Sequence, residues 1–363
     1  MRIAYLAWQG SEHTRRWAGF FASRGHDVHV VTCGGVDTGP GPDVNYEIHD
    51  LHTSSLGKTG YLLRVPRVRR LVRSLKPDVV HAHHATSYGL LAACTGVHPL
   101  VVTCHGSDIL VSGKKRSMRP LLKRVLDAAD LVTVPGEHVA NAVHELGTRT
   151  EVVVFQYGVE VERLRSLGTA ANRSSGAPGP IRLVSARGLD PIYHTDEVLG
   201  AMAILRERDI DCVFDLAGRG ADAERLERLA RDLDVADQVV FHGHVPEDVV
   251  ELLIARGDVF VSVPSSDGVS IALFEAMALG TVPLVSDIAA NRLWIRDGMN
   301  GVVVQITSAS IADGILRAVS LERAEVHSRN LEIAKTWGDR EKNLASCGAL
   351  VTRLVEQHHG SRA

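Results

Sequence analysis

The stretch Ser265–Gly280, which reads SSDGVSIALFEAMALG, places an acid, a glycine and a serine before an apolar run. Ser270 stands where it can cap a helix that begins at Ile271. The first amides of such a helix have no intrahelical partners, and the helix dipole favours an anion beside them. Asp267 precedes Gly268, a residue that lets a ligand approach the backbone closely. The stretch therefore predicts a binding site for a phosphate or diphosphate.

Glu275 is the only charged residue within the apolar run Ile271–Leu279. A buried carboxylate needs hydrogen-bond donors or a cation, or else it takes up a proton. The paired hydroxyl groups of a ribose or another sugar would supply donors. A structural salt bridge would satisfy the carboxylate equally well, so the local residue chemistry leaves both interpretations open.

Further candidates for phosphate binding follow the predicted strand Ile181–Ser185. Arg187 can pair with a diphosphate through two parallel hydrogen bonds, with an ordinary surface arginine as the alternative. Gly218 begins a G-x-G-x-x-A pattern after a later strand, but no acid ends the following strand, VVFHGH. A nicotinamide dehydrogenase is therefore not favoured.

Histidines are frequent in the first half of the chain. His81, His83 and His84 lie at the end of a predicted strand and suggest zinc. No cysteine or carboxylate completes a convincing ligand set beside them, so we predict no metal site there. His105 ends the next predicted strand, on the side of the predicted cleft, and from the residues alone a structural histidine is the ordinary interpretation.

Short apolar strands alternate with helical segments along most of the chain. This pattern predicts an α/β protein with two Rossmann-like domains, each a doubly wound parallel sheet, facing a central cleft where ligands bind. Segment 166–180 is rich in Ser, Gly, Ala and Pro and predicts a linker. We thus expect domains at 1–165 and 181–338, and a C-terminal helix within 339–363 that can pack back toward the first domain.

The composition is that of a soluble globular protein: 363 residues, 45% hydrophobic and 23% charged. No apolar run approaches the roughly 20 residues that span a membrane, and the N-terminus does not read as a signal peptide. The five cysteines are scattered without a CxxC pair. This favours a reduced, cytoplasmic setting over a disulfide framework.

Charge is unevenly distributed along the chain. Residues 1–170 hold 20 Lys and Arg against 15 Asp and Glu, whereas the remainder holds 20 against 28. A basic first half suggests an anionic partner. The segment Arg64–Lys76 predicts an amphipathic basic helix, packed on its sheet as a surface helix. The alternative is contact with an anionic membrane or a lipid-linked acceptor, and hence a peripheral position at the inner membrane face.

The region around the first stretch resembles the acid-x7-acid motif of retaining glycosyltransferases of GT-B fold, in particular glycosyltransferase family 4, also called glycosyl transferases group 1. The matching residues are Pro264, Ser265, Asp267, Gly268, Glu275, Ala276, Met277, Ala278, Gly280 and Pro283. The segments DVVHAHHATSYGLLAA, VVTCHGSDI, DLAGRG and VVFHGHVP also resemble family segments. The chain departs from the family at Tyr157 and Glu160, and it lacks the family lysine in the region of Pro191–His194. The resemblance then leaves His194 or Tyr193 as the candidate contact for phosphate in place of that lysine.

The resemblance implies roles for the candidate residues. Asp267 would contact hydroxyls of the donor sugar and Glu275 the ribose of the nucleotide, while His105 would approach the sugar near the reacting carbon. We therefore place His105 and Asp267 at the catalytic centre, and Gly10 and His13 on the acceptor side. The donor-binding residues are then Arg187, His194, Gly218, Gly268, Val269, Ser270, Ile271 and Glu275.

We accordingly expect a transferase of the EC 2.4 class that moves a sugar from a UDP- or GDP-sugar to an acceptor hydroxyl with retention at the anomeric carbon. We expect no cofactor, no catalytic metal and no nucleic-acid partner. The acceptor, whether a glycan, a lipid-linked molecule or a small molecule, stays open. Two rivals remain: a sugar-nucleotide epimerase on the same fold, and a non-catalytic nucleotide-sugar-binding protein, the latter because the family lysine is missing and Asp267 replaces the usual Glu.

Overall fold

The computed structural model describes residues 1–34, 45–52, 60–171 and 179–360. The chain divides into two compact units, one formed by Met1–Tyr157 with Lys342–Ala363 and the other by Gly158–Glu341. Each unit contains one parallel β-sheet with helices. Within the described ranges, no helix combines the length and the apolar character that crossing a bilayer requires.

The first unit is built on a seven-stranded sheet. Its strands are β1 (Arg2–Leu6), β2 (Asp27–Thr32), β3 (Glu47–Asp50), β4 (Val79–His83), β5 (Leu100–Thr103), β6 (Leu131–Val134) and β7 (Val152–Val154). Its helices include α1 (Glu12–Ser23), α2 (Gly60–Leu75), α3 (Gly89–Ala93), α4 (Arg119–Asp127) and α5 (Glu137–His144). The strand order is β3-β2-β1-β4-β5-β6-β7, and every neighbouring pair is parallel.

The second unit is built on a six-stranded sheet in the order β10-β9-β8-β11-β12-β13. Its strands are β8 (Ile181–Ser185), β9 (Cys212–Ala217), β10 (Val239–Gly243), β11 (Val259–Ser262), β12 (Val282–Ser286) and β13 (Val302–Val304). Its helices include α6 (Val161–Ala171), α7 (Thr195–Glu207), α8 (Ala223–Asp232), α9 (Glu247–Arg256), α10 (Ile271–Leu279), α11 (Ala289–Arg292), α12 (Ser308–Ser320) and α13 (Arg323–Trp337), and the chain continues into α14 (Arg340–Gly360).

The strand order reverses direction at one point in each sheet, between β1 and β4 and between β8 and β11. In doubly wound sheets the loops that leave the carboxyl ends of such neighbouring strands separate and leave a crevice for ligands. The central strands are buried along their whole length, as β4 and β12 show, because helices cover both faces of a parallel sheet. The candidate residues after β8 and β11 therefore lie where the topology favours binding.

Helix α2 is amphipathic, as the sequence predicts. Val68 and Val72 are fully buried, whereas Arg67, Arg70 and Arg73 are exposed. The apolar face therefore packs within the first unit and is not available for insertion into a bilayer. Leu63, in the first turn of the helix, is 67% exposed, so contact with a membrane is not limited to the arginine charges.

The expected linker and the first domain boundary differ from the structure. Residues 166–171 belong to helix α6 instead of a linker, and residues 172–178 lie outside the described residues. The division between the units falls after Tyr157, not after residue 165. The reason lies in packing: a Cβ on Gly168 would lie 2.3 Å from the carbonyl oxygen of Leu279. This small residue thus brings α6 into direct contact with α10 of the second unit.

Candidate functional site

Helix α10 begins at the switch point of the second sheet, after the loop that leaves β11. Ser270 caps it, since its Oγ accepts a hydrogen bond from the amide of Leu273 at 3.2 Å. The amides of Ile271 and Ala272 lie in the first turn, where a helix offers no intrahelical acceptor. The helix is held firmly because all of its residues after Ile271 are buried. Its amino end can therefore hold an anion in a fixed position.

The Arg187 guanidinium lies beside this helix end. Its Nη1 donates to Ser270 Oγ at 2.7 Å and its Nη2 to Asp267 Oδ2 at 2.5 Å. Its central carbon stands 4.7 Å from the centroid of the Tyr193 ring, within the range of a cation–π interaction. The side chains of Arg187 and Asp267 are only 13% and 17% exposed. A largely buried cation thus reinforces the preference of the helix end for negative charge.

Asp267 and Arg187, both predicted to contact the donor, contact each other. The Asp267 carboxylate also accepts a hydrogen bond from the Gly268 amide at 2.8 Å. An anionic ligand that binds Arg187 must compete with this carboxylate. If the ligand displaces the Asp267 carboxylate from Arg187, that carboxylate can accept a hydrogen bond from another group, such as a sugar hydroxyl.

Glu275 is 7% exposed within α10, so its carboxylate is buried as its apolar surroundings predict. Burial alternates along the residues that lead into the helix: Gly268 and Ser270 are buried, whereas Val269 and Ile271 are partly exposed. The backbone predicted to hold the diphosphate is thus present at the start of the helix. The roles of these residues toward a ligand stay predictions.

Gly218 has a structural reason to be glycine. A Cβ at this position would lie 2.0 Å from the carbonyl oxygen of Arg187. The Gly218 amide also donates to the carbonyl of Gly243 at 2.8 Å. Gly218 therefore lets the loop after β9 approach the backbone of Arg187 closely, and its contact with the donor stays a prediction.

A tight turn, Pro191–Tyr193, occupies the region where the family lysine is missing. The amide of Ser265 donates to the carbonyl of Ile192 at 2.9 Å, which joins this turn to the loop before α10. His194 follows in a left-handed conformation with φ 49° and ψ 41°. Its Nε2 is buried and has no hydrogen-bond partner within the described part of the chain. This nitrogen is a candidate contact for a phosphate oxygen.

In the first unit, Asp108 fixes the loops that leave β4 and β5. Its Oδ1 accepts the amides of His105 and Gly106 at 3.1 and 3.0 Å, and its Oδ2 accepts the amide of Ala85 at 2.8 Å. Gly106 has φ 117°, a conformation that side chains disfavour. Asp108 thus holds the backbone of His105 in place, a role that the sequence analysis missed. The recognisable signal was an acid three residues after His105 in HGSD.

His105 lies at the centre of a group of rings. It stacks on His84 with centroids 4.0 Å apart and planes at 20°. The rings of His13 and His83 each lie 5.1 Å from it. The Tyr157 hydroxyl stands 3.2 Å from His105 Nδ1. The structure therefore brings together His13 and His105, and it adds Tyr157, which the sequence marked only as a departure from the family.

Burial lowers the pKa of the His13 and His105 imidazoles. It lowers the pKa of His13 to about 4, and the Arg16 charge adds to the effect. Burial, with repulsion from His84, also holds the pKa of His105 well below its usual value. A neutral imidazole can accept a hydrogen bond at one nitrogen and donate one at the other. The group can therefore bind hydroxyls, but His105 is a weak base.

Gly10 is also explained by packing. A Cβ here would lie 2.5 Å from the Trp8 ring, so the glycine makes room for the indole. The close approach of an acceptor to Gly10, which the sequence suggests, stays a prediction.

His81, on β4, has a hydrogen-bond partner within the sheet. His81 Nε2 lies 2.6 Å from Thr103 Oγ1, and burial lowers the pKa of His81 to about 3. Among the described residues, the group whose ligand atoms are close enough for a metal ion is a different one, formed by His29, Glu47 and His49.

Comparison with known sequences identifies both units. Residues 2–135 match the model of the Glycosyl transferase 4-like family, and residues 171–337 match that of the Glycosyl transferases group 1. The chain is 22% identical over 323 residues to N-acetyl-α-D-glucosaminyl L-malate synthase of Bacillus anthracis, covering 85% of this chain and 83% of that protein. It is 29% identical over 312 residues to a D-inositol 3-phosphate glycosyltransferase of Geodermatophilus obscurus, covering 77% and 67%.

Solved structures confirm the fold. Sucrose-phosphate synthase from Thermosynechococcus elongatus superimposes with a TM-score of 0.84 at 15% identity, covering 98% of this chain and all of the other. HepE from Anabaena, in complex with UDP and glucose, superimposes with a TM-score of 0.80 at 17% identity and the same coverage. The two family models follow one another along the chain and together match most of it. The chain therefore belongs to the family 4 glycosyltransferases of GT-B fold.

Proposed function

We propose that the chain transfers a sugar from a nucleoside-diphosphate sugar to an acceptor hydroxyl, with retention of the anomeric configuration. The observation that carries this proposal is the largely buried Arg187 at the amino end of α10, where cation and helix dipole both favour a diphosphate. The HepE complex with UDP-glucose and a relative named as a GDP-mannose-dependent mannosyltransferase support this donor class. They leave UDP and GDP as the candidates for the nucleotide.

The donor would be held along α10. Arg187 and the amides of Ile271 and Ala272 bind the diphosphate, and the buried Glu275 accepts hydrogen bonds from the ribose hydroxyls. The diphosphate displaces Asp267 from Arg187, which allows that carboxylate to accept a hydrogen bond from the sugar. His194 Nε2 supplies a further contact in place of the missing family lysine.

In the proposed reaction, transfer proceeds without a protein base. The bond from the anomeric carbon to the diphosphate oxygen breaks, and a bond to the acceptor oxygen forms on the same face of the sugar. The acceptor proton passes to the departing diphosphate oxygen. Arg187 and the helix amides stabilise the charge that grows on this group. His105, whose pKa is lowered chiefly by burial, is too weak a base to compete and instead binds a sugar hydroxyl.

The acceptor would be an anionic molecule bound by the first unit, with Gly10 and His13 at its site. The excess of basic residues in the first half of the chain supports this. The relatives are named for L-malate and D-inositol 3-phosphate, both of which are anionic. A lipid-linked acceptor stays an alternative, with peripheral membrane contact through the exposed arginines of α2.

A transfer assay tests the proposal. The chain is incubated with UDP- and GDP-sugars and, as acceptors, L-malate or D-inositol 3-phosphate, and products are followed by mass spectrometry and proton NMR. We expect release of one nucleoside diphosphate and a new glycoside of retained configuration. Glu275→Ala should abolish both products, and Glu207→Gln, at an exposed position, should leave them unchanged. An inverted product would refute retention, and conversion of the donor without an acceptor would indicate an epimerase.

A further inference from the structure

Three potential metal ligands meet on the outer strands of the first sheet, away from the residues assigned above. His29 lies on β2, and Glu47 and His49 lie on the neighbouring edge strand β3. The parallel register sets His29 opposite Glu47 and Val31 opposite His49. Because side chains alternate along a strand, Glu47 and His49 point to one face of the sheet.

The ligand atoms lie close together, since one atom from each residue lies within 4.8 Å of the other two. His29 Nδ1 lies 3.1 Å from His49 Nε2 and 3.3 Å from Glu47 Oε2. Glu47 Oε1 lies 3.6 Å from His49 Nε2. Two ligands at Zn²⁺ bond lengths of about 2.0–2.1 Å in tetrahedral geometry are themselves roughly 3.3–3.4 Å apart. The three side chains would therefore need only small shifts to share one ion.

The Nε2 atom of His29 lies beside a carboxylate, one of the partners that metal-binding histidines usually have at the nitrogen that faces away from the metal. His29 Nε2 lies 3.2 Å from Asp27 Oδ1, and the Arg2 Nε holds Asp27 Oδ2 at 2.6 Å. A carboxylate at one ring nitrogen keeps the proton there and leaves the other nitrogen unprotonated toward a metal. This arrangement directs His29 Nδ1, which is in a buried residue, at the two side chains of β3.

Strand β3 gains little from hydrophobic burial. Its sequence, EIHD, contains a single apolar residue, and none of its four residues is fully buried. Edge strands of this kind are weakly held by packing. A metal ion bound by side chains of both β2 and β3 would stabilise the edge strand where hydrophobic packing contributes little.

We propose that His29, Glu47 and His49 bind one Zn²⁺ ion that joins the edge strand β3 to β2. Two histidines and a carboxylate are a ligand set that Zn²⁺ accepts, with water in the fourth position. The side chain of Glu47 is 64% exposed, so water can reach that position. The site is structural, because its residues precede the carboxyl ends of the strands, where His83 and His105 lie.

Zinc titration of the untagged full chain tests this inference. The chain is stripped with a chelator and then titrated with Zn²⁺ in competition with a chromophoric chelator. Wild type should bind one tight equivalent and gain thermal stability, and Mg²⁺, which prefers oxygen ligands, should do neither. Glu47→Gln and His49→Gln should each weaken binding by ~100-fold or more, and Asp27→Asn by about 10–100-fold. His52→Gln, at an exposed histidine just beyond β3, should match wild type.

The alternative is a hydrogen bond between the two imidazoles without any ion. In that case wild type would bind Zn²⁺ no more tightly than His49→Gln, and Zn²⁺ would not raise the melting temperature. Tight binding that survives both Glu47→Gln and His49→Gln would place the ion elsewhere, and it would equally overturn the proposal. Neither outcome depends on sugar transfer, so the test is independent of the proposed activity.

Discussion

Replacement of Asp267 by asparagine should tighten the binding of a nucleoside diphosphate while it slows sugar transfer. In the free protein the Asp267 carboxylate holds Arg187 at 2.5 Å, with both side chains largely buried. A diphosphate must displace this carboxylate before it can use the guanidinium. Asparagine has nearly the same shape but no charge, so it competes less strongly for Arg187.

The size of the effect follows from the contact that is weakened. A hydrogen bond to a charged group contributes about 1.5–3 kcal/mol. Asparagine keeps a neutral version of the bond, so the competition relieved is about 1–2 kcal/mol, or roughly 5–30-fold in Kd. Transfer should fall by about 100-fold or more if the Asp267 carboxylate stabilises the sugar in the transition state.

Isothermal titration calorimetry with UDP and GDP measures the first effect, and initial rates of transfer measure the second. The control is Asp313→Asn, at an exposed carboxylate that pairs with Arg208 at 2.8 Å and should leave both quantities unchanged. Binding to Asp267→Asn that is equal to or weaker than that of wild type would refute the competition between Asp267 and a diphosphate.

Two further predictions concern the supporting residues. Gly218→Ala should lower the melting temperature and weaken diphosphate binding, because its Cβ would lie 2.0 Å from the Arg187 carbonyl oxygen and overpacking costs about 1–3 kcal/mol. The control is Gly179→Ala, since a Cβ at Gly179 would have open space around it. Equal melting temperatures and equal diphosphate affinities of the two variants would refute the proposed clash. Stability should fall as pH drops from 6.5 toward 4, because the unfolded chain takes up a proton on His13 at its ordinary pKa, whereas the folded chain does so only near 4. Melting curves of His13→Gln over this range should show a shallower fall, and an equally steep one would count against the role of His13.

Local signals in the sequence predicted the architecture and the helix at the proposed donor site. Alternation of apolar strands with helices gave two parallel sheets, and the order of both sheets agrees with a doubly wound fold. The observed bounds of α10, Ile271–Leu279, are those predicted, because a serine cap, a continuous apolar run and Gly280 define both ends. The burial of Glu275 followed from the same run.

Contacts between distant residues could not be predicted. Nothing near Arg187 in the sequence indicates that its partner is Asp267, since the pair forms only when β8 and β11 become neighbours. Strand β3 was missed because EIHD has one apolar residue and no strand periodicity. The end of α6 has the sequence of a linker because its small residues carry no helical pattern, and the contact of Gly168 with Leu279 appears only in the folded unit.

A crystal structure of the chain with UDP or GDP would test the donor site most directly. We predict diphosphate oxygens within about 2.7–3.1 Å of Arg187 and of the amides of Ile271 and Ala272, and ribose hydroxyls donating to Glu275. We also predict that Asp267 no longer pairs with Arg187. A diphosphate bound away from the amino end of α10, or one that leaves the pair of Arg187 and Asp267 intact, would refute the proposed donor site.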